Sequence, residues 1–243
     1  MTFQLTEPIL LIGLGGVGAS LAEKAKKSLN SDCLLISHDQ KDLTAENSIK
    51  ISTKSVVNPS THLIRGSTLE TSDEIKKNIA NYSTVILMSN LAGKAGVGIG
   101  PIVSRICKQE QKNLLSFTIM PFKFEKNRIF QSGIALKRIR QDSQCTIVVD
   151  NDALLDSNPD LTQKQCYDIS NKAIDGVMHS LKSSEISEDI NILSTGKATD
   201  DIESSLKDSL RMLYEDAPPS SIKRSILYVY GQQYSSWGFK HNF

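Results

Sequence analysis

The stretch ILLIGLGGVG at residues 9–18 decides the fold class. It is a short apolar run that ends in glycines, and residues 19–29 then carry apolar side chains at helical spacing. This order predicts a buried strand, a tight turn and a helix. At such a turn, backbone N–H groups and the positive end of the helix dipole converge, which favours phosphate. The stretch therefore predicts a nucleotide-binding turn, with a turn that only packs the helix against the strand as the alternative.

Apolar runs of strand length alternate with helical patterns along the first two thirds of the chain. Further predicted strands are residues 33–37, 84–88, 114–119 and 146–149. Predicted helices are residues 74–79, 102–110, 128–140 and 161–181. This alternation is typical of a parallel sheet covered on both faces. We therefore predict an α/β fold in three parts: a Rossmann-like parallel sheet over residues 1–160, a long central helix and linker over residues 161–184, and a small second α+β unit over residues 185–243.

The composition excludes several classes of protein. The 243 residues carry 28 Lys and Arg against 27 Asp and Glu, and a net charge of +1 supplies no general attraction to nucleic acid or to an anionic membrane. The four cysteines form no CxxC pair, which favours a reducing compartment. No signal peptide is predicted, and no apolar run approaches the roughly 20 residues of a spanning helix. We expect a cytoplasmic protein with no nucleic-acid partner and no direct membrane insertion.

The first glycine turn alone favours a dinucleotide. A GxGxxG pattern begins at Gly13, and Asp39 lies 21 residues past Gly18, at the end of the second predicted strand. NAD-dependent enzymes place an acidic residue that binds the ribose at this position. Taken by itself, this part of the sequence therefore predicts an NAD-binding site.

A second glycine-rich stretch changes that interpretation. NLAGKAGVGIGP at residues 90–101 follows the predicted strand at residues 84–88, and the chain has no GxxxxGK[ST] motif. Two glycine loops at one edge of a parallel sheet can hold a polyphosphate from both sides, which favours a nucleoside triphosphate. The alternative is that the glycines at the end of this stretch only permit close helix packing, namely Gly96, Gly98 and Gly100.

With both loops in place, the chain resembles the FtsZ/tubulin superfamily, and the FtsZ branch most closely. The stretch VILMSNLAGKAGVGIGP at residues 85–101 fits the family's VFVTAGMGGGTGTGAAP without a gap, and LLISHDQKDL at residues 34–43 looks like the region of its INTDAQAL. MPFKFEKNR at residues 120–128 is close to KPFxFEGxxR, and TIVVDNDALL at residues 146–155 is similar to LIVIPNDxLL. The resemblance spans about residues 8–181. It implies a tubulin/FtsZ-type fold that binds GTP or GDP between the subunits of a filament.

The resemblance also implies roles for individual residues. The candidates for phosphate contact lie in the two glycine stretches and are Gly13, Gly15, Gly16, Gly18, Ser20, Gly93, Lys94, Gly96 and Gly98. The candidates for ribose and base contact are Glu125, Arg128, Asn151 and Asp168. A carboxylate such as Asp168 suits guanine because it accepts hydrogen bonds from N1–H and from the exocyclic amine. Asp39 is the candidate ligand of a Mg²⁺ ion that accompanies GTP.

Alternatives stay open for several of these candidates. Lys94 either neutralises a phosphate or points into solvent. Asp168 is either the base-reading residue or a solvated helix residue. Glu125 and Arg128, three residues apart, could also form a surface ion pair.

The chain departs from the family in the region expected to be catalytic. The family's loop after the central helix carries NxDxxD, whose carboxylates enter the pocket of the next subunit and polarise the attacking water. Here Glu185 and Glu188 keep a three-residue acidic spacing and are the catalytic candidates, with a solvated linker as the alternative. The family's short glycine turn between the two loops appears only as Arg65-Gly66-Ser67-Thr68, at residues 65–68. The second domain is also shortened.

We therefore predict an FtsZ/tubulin-like, GTP-binding cytoskeletal protein with weak or lost GTP hydrolysis. Its expected partners are copies of itself, in an oligomer or filament, or another cytoskeletal or division protein. One alternative keeps the nucleotide site but makes the protein a non-polymerising regulator of a cytoskeletal or division system. A second alternative is an NAD-dependent Rossmann enzyme.

Overall fold

The computed structural model describes residues 2–54, 57–181, 186–197, 201–222, 225–228 and 238–241. Its strands are β1 (Thr2–Phe3), β2 (Ile9–Leu14), β3 (Asp32–Ser37), β4 (Ser48–Lys50), β5 (Thr84–Asn90), β6 (Asn113–Ile119), β7 (Cys145–Val149), β8 (Ile186–Ser187), β9 (Asp189–Ile192), β10 (Ser225–Tyr228) and β11 (Gly238–His241). Its helices are α1 (Gly15–Leu29), α2 (Thr61–Glu70), α3 (Ser72–Ile79), α4 (Lys94–Gln109), α5 (Lys126–Asp142), α6 (Asn151–Ser157), α7 (Gln163–Ser180) and α8 (Ile202–Asp216).

Seven parallel strands form one sheet in the order β4-β3-β2-β5-β6-β7-β9. Gly13 of β2 lies opposite Leu35 of β3 on one side and Met88 of β5 on the other. The strand order therefore reverses at β2. In open α/β sheets, ligands bind outside the carboxyl ends of the strands at such a switch point. The α/β fold class and its parallel sheet are confirmed.

Both faces of the sheet are buried. Leu11 of β2 belongs to one apolar cluster with Val177 of α7, while its neighbour Leu10 belongs to another with Ile99 of α4. Successive side chains of a strand point to opposite faces. Because helices cover both faces, the strand needs apolar residues at every position. This explains why the strands read as continuous apolar runs rather than as alternating ones.

The second glycine stretch is mostly helical, which differs from the prediction. Helix α4 begins at Lys94, eight residues before the predicted start at residue 102. A Cβ built on Gly98 would lie 2.9 Å from Ile64 Cγ2 of α2, and one built on Gly100 would lie 3.0 Å from Ile139 Cδ1 of α5. Glycine at these positions therefore lets α2 and α5 pack closely on α4.

Helices α2 and α6 are additions to the predicted elements. The segment at residues 65–68, predicted as a glycine turn, lies inside α2, so that prediction is wrong. Ser60 starts this helix because its hydroxyl accepts a hydrogen bond from Leu63 N–H at 3.4 Å. None of the described helices is long and apolar enough to cross a membrane.

The part of the chain predicted as a second unit is joined to the first. Strand β9 pairs with β7 and extends the main sheet, so the predicted boundary at residue 185 does not coincide with the edge of the sheet. Met212 of α8 lies in a buried cluster with Phe122 and Leu154. The predicted long helix at residues 161–181 is observed as α7.

Candidate nucleotide-binding site

Two helices begin side by side at the switch point of the sheet. Helix α1 starts at Gly15 directly after β2, and α4 starts at Lys94 four residues after β5. Among the residues that the structure describes, no side chain caps the first turn of either helix. A Cβ built on Gly15 would lie 2.8 Å from Ala95 Cβ, so the two turns meet. Their free N–H groups and positive helix ends form a favourable place for an anion.

Glycine is required at the closest approaches of the backbone. Gly15 has a φ of 65°, in the left-handed region that favours glycine. A Cβ on Gly18 would lie 2.4 Å from Met88 O, and one on Gly96 would lie 2.1 Å from Asn90 O. These contacts are with backbone atoms, which cannot turn aside. Both glycine stretches therefore hold their helices tightly against neighbouring strands.

The remaining candidates of the glycine stretches have different positions. Gly13 lies in a tight turn against the backbone of Gly18. A Cβ built on Gly13 would lie 2.6 Å from Gly18 O. Gly16 is exposed on the first turn of α1, and Ser20 is exposed farther along the helix. Gly93 is the residue before α4. Gly98 lies past the first turn of that helix, where its backbone faces Ile64 rather than an open site.

The Lys94 ammonium group is neither free to neutralise a phosphate nor pointing into solvent in this structure. Its Nζ donates to Asn58 Oδ1 at 2.5 Å and to Pro59 O at 2.8 Å. The ammonium group therefore ties the segment before α2 to the start of α4. Neither a free phosphate-neutralising charge nor a fully solvated side chain describes it in this structure.

A cavity of about 250 Å³ adjoins the two helix starts. It lies between α1, the segment before α4, the start of α5 and the face of α7. The residues that line it are Val17, Asn90, Ala92, Gly93, Arg128, Tyr167 and Asn171. Asn171 Oδ1 is buried and has no hydrogen-bond partner in the described part of the chain. The cavity therefore combines apolar walls with one buried polar atom, Asn171 Oδ1, that has no partner among the described residues.

Arg128 reaches this cavity while paired with Glu125. Its Nη1 lies 2.7 Å from Glu125 Oε1, and Glu125 Oε2 accepts a hydrogen bond from Phe122 N–H at 3.3 Å. The ion pair that the spacing allows is present. The pair and a role in ligand contact are compatible, because the Arg128 side chain is 60% exposed and also lines the cavity.

The structure places Asp168 outside the cavity. Asp168 is exposed on α7, whereas Tyr167 and Asn171 line the cavity from the same helix. Each residue of an α-helix turns by about 100°, so residues four apart share a face and the next residue does not. The Tyr167 ring also packs edge-on against Phe122, with ring centres 5.5 Å apart. Sequence reasoning therefore missed the two side chains that this helix contributes.

Asn151 is buried beneath the site rather than facing the cavity. Its Oδ1 accepts a hydrogen bond from Ser170 Oγ at 2.6 Å, which joins α6 to α7. Its Nδ2 is buried and has no partner among the described residues. In this structure Asn151 links two helices behind the site.

Of two nearby aspartates, Asp42 rather than Asp39 faces the glycine turn. Asp39 begins a 3-10 turn, accepts a hydrogen bond from Lys41 N–H at 3.2 Å and pairs with Lys41 Nζ at 3.1 Å. A Cβ built on Gly16 would lie 2.9 Å from Asp42 Oδ1. Sequence reasoning missed Asp42, and the only signal for it is its place in the polar run after β3. No group of three or more metal-binding side chains occurs in the described part of the chain.

The catalytic candidates lie away from this cavity or outside the described residues. Glu185 belongs to the segment that the structure does not describe. Glu188 is exposed just before β9, whose first residue Asp189 lies opposite Cys145, the first residue of β7. Glu188 is therefore at the amino edge of the sheet, whereas the glycine turns are at the carboxyl edge.

Comparison with known proteins decides the family. Residues 8–159 match the tubulin/FtsZ family, GTPase domain. The chain belongs to the tubulin/FtsZ family. The matched segment contains both glycine stretches and the strands that carry them. Membership of a GTPase family gives no support to the interpretation as an NAD-dependent enzyme, which rested on the first turn and Asp39.

Curated relatives of this tubulin/FtsZ chain include cell division proteins. Cell division protein FtsZ 2 of Halobacterium salinarum is 25% identical over 180 residues, which cover 68% of this chain and 44% of that protein. Cell division protein FtsZ of Mycoplasmopsis pulmonis is 31% identical over 97 residues, which cover 39% of this chain and 24% of that protein. The chain spans less than half the length of these relatives.

Solved structures of the tubulin/FtsZ family share the fold. An empty FtsZ dimer of M. jannaschii matches with a TM-score of 0.68 at 19% identity, over 85% of this chain and 68% of that one. TubZ of Clostridium botulinum phage c-st matches with a TM-score of 0.63 at 16% identity, over 86% of this chain and 75% of that one. At these identities the likeness concerns the fold alone.

Proposed function

We propose that the protein binds GTP and GDP, with the phosphates on the N-terminal ends of α1 and α4 and the base toward α7. One observation carries the proposal. The uncapped starts of α1 and α4 meet at the switch point of the sheet, within the segment that matches the tubulin/FtsZ GTPase domain, and a cavity opens beside them. Phosphate is stabilised at such helix ends by backbone N–H groups and by the helix dipole. The phosphate contacts then come from the backbone of Gly15, Gly16, Gly18, Gly93 and Gly96.

Asn171 is the residue that we propose to read the base. Its buried and unpaired Oδ1 is an acceptor, and guanine offers N1–H and an exocyclic amine as donors. Adenine presents no donor at N1, so the same acceptor would remain unpaired. Tyr167 contributes its ring beside Asn171, and burial raises the pKa of its hydroxyl, which keeps the group protonated at neutral pH.

Arg128 is proposed to contact the ribose or the phosphates from the side of α5. Glu125 orients the guanidinium through their 2.7 Å hydrogen bond. Asp42 offers a carboxylate oxygen at the glycine turn, which fits Mg²⁺, since this ion is usually bound through one or two carboxylates and the substrate phosphates. A bound Mg²⁺ would neutralise part of the phosphate charge.

We propose that hydrolysis by a single chain is slow and that assembly with further copies raises it. The candidate Glu188 lies at the opposite edge of the sheet from the helix starts, so it is far from the cavity of its own chain. A second copy stacked on the carboxyl edge would bring its own Glu188 to the nucleotide. The empty M. jannaschii FtsZ structure is a dimer, which supports testing self-association.

Binding is tested by titrating the full chain with fluorescently labelled GTP and then adding unlabelled GTP, GDP, ATP or NADH. We expect GTP and GDP to displace the label and the other two to fail. Asn171→Ala should reduce the preference for GTP over ATP by about tenfold, because the acceptor is lost. The matched control is Asp168→Ala on the exposed face of α7. No GTP binding, or a loss in the control alone, would contradict the proposed site.

Assembly and hydrolysis are tested together by following phosphate release over a range of protein concentrations, with sedimentation of the same samples. If a second copy completes the site, the rate per chain should rise with concentration, and Glu188→Gln should lower that rise without weakening GTP binding. A rate per chain that is independent of concentration would contradict catalysis between copies.

A further inference from the structure

The Asp42 carboxylate lies where the two helix starts meet. A Cβ built on Gly16 would lie 2.9 Å from Asp42 Oδ1. One built on Gly15 would lie 3.9 Å from Asp42 Oδ2 and 2.8 Å from Ala95 Cβ, at the start of α4. Ser37 Oγ donates a hydrogen bond to Oδ2 at 2.7 Å and holds the carboxylate in place. A negative group of the protein therefore already borders the positive helix ends that attract phosphate.

The two lysines near Asp42 make their close contacts with other groups. No ion pair to Asp42 is present among the described residues. The adjacent Lys41 instead pairs with Asp39, with Nζ 3.1 Å from the carboxylate. Lys94 is held by oxygen atoms of the segment before α2. The Asp42 carboxylate therefore lies next to the proposed phosphate position without an ion-pair partner among the described residues.

We propose that Asp42 makes nucleotide binding depend on charge neutralisation: its carboxylate repels an uncomplexed triphosphate and accepts one that carries a divalent cation. This inference rests on the proposed function. Carboxylate and phosphate charges a few ångströms apart repel strongly enough to change affinity by roughly tenfold or more, even in a polar protein environment. With Mg²⁺ present, the same oxygen becomes a ligand to the ion, and the repulsion turns into attraction.

The experiment measures the dissociation constants of labelled GTP and GDP on the full chain, in excess EDTA and in excess Mg²⁺. For the wild type we expect GTP to bind at least about tenfold more weakly in EDTA, and GDP to show a smaller ratio because it carries less charge. The ratio compared is the GTP dissociation constant in EDTA divided by that in Mg²⁺. In Asp42→Asn this ratio should fall to about threefold or less, because the affinity for GTP in EDTA rises. Asn keeps the size of Asp and an oxygen that accepts from Ser37.

Two control variants make the outcome specific. Glu23→Gln removes an exposed carboxylate on α1 whose Oε1 accepts a hydrogen bond from Thr44 Oγ1. This variant should keep the wild-type ratio. Asp39→Asn removes the aspartate that faces Lys41, and should also keep the ratio. Asp42→Ala, with circular dichroism as a check of folding, should reproduce the effect of Asp42→Asn.

Two results would overturn the inference. The first is an unchanged ratio in folded Asp42→Asn and Asp42→Ala. The second is loss of the ratio in Asp39→Asn instead. If the wild type binds GTP in neither condition, the proposed function itself fails and the inference fails with it. Binding of GTP by the wild type without a Mg²⁺ effect leaves the proposed function standing and refutes the role of Asp42 alone.

Discussion

Replacing Gly96 with alanine should destabilise the protein, although alanine is the better helix former. The new Cβ would lie 2.1 Å from Asn90 O, 2.8 Å from Asn90 C and 2.9 Å from Ser89 Oγ. Two of these are backbone atoms, so α4 or β5 must move, and overpacking of this kind costs about 1–3 kcal/mol. Helix propensity returns about 1 kcal/mol. A net loss of up to about 2 kcal/mol lowers Tm by up to about 8 °C in a chain of this size.

The same substitution at two other helical glycines serves as the control. Apart from its own helix backbone, a Cβ on Gly66 of α2 or on Gly133 of α5 would meet no atom of the described residues within 4 Å. Gly66→Ala and Gly133→Ala should therefore raise stability by up to about 1 kcal/mol. Thermal unfolding followed by far-UV circular dichroism measures all three variants, and labelled GTP reports the site. A Gly96→Ala protein that unfolds at or above the wild-type Tm would refute the close approach of α4 to β5.

Burial and the neighbouring Asp150 raise the pKa of Asp216 to about 7. The folded state therefore holds a proton that the unfolded chain releases near pH 3.8, and stability should fall as pH rises through this interval. Asp216→Asn should remove most of that fall in urea unfolding at pH 5 and 8, and an unchanged difference would refute the assignment. Ser170→Ala leaves Asn151 without its donor and should cost about 1–3 kcal/mol, measured as a lower urea midpoint; an unchanged midpoint would argue against a buried bond. All four cysteines are buried, so a thiol reagent at pH 8 should label them only after unfolding, and rapid native labelling would show that the core is more open.

The strands and the first glycine turn were predictable because their signal is local. Continuous apolar runs such as residues 9–14 are what a strand buried on both faces requires, and glycines at its end mark the turn. The start of α4 was not predictable in the same way. Glycine has low helix propensity, so residues 94–101 resemble a loop. The close approaches of Asn90, Ile64 and Ile139 show why glycine is needed there.

The side chains of the site depended on geometry that the sequence does not contain. The predicted helix at residues 161–181 agrees with α7, but the choice between Tyr167, Asp168 and Asn171 depends on the rotation of the helix about its axis. The position of Asp42 also depends on local geometry. The motif indicates Asp39, but a 3-10 turn directs Asp42, three residues later, toward Gly16. A motif gives the element and the approximate position, and the packing of that element decides which side chain faces the ligand.

The attachment of β9 to the main sheet fixes where Glu188 lies relative to the nucleotide. Strand β9 pairs with β7, and Arg140 of α5 holds Asp189 at 3.0 Å, so the start of the strand is tied on two sides. A seven-residue strand such as β5 is roughly 20 Å long at about 3.3 Å per residue, which separates the two edges of the sheet. No local rearrangement of Glu188 spans that distance while β9 stays paired. If Glu188 takes part in hydrolysis, it must therefore act on the nucleotide of another copy, and catalysis should follow assembly.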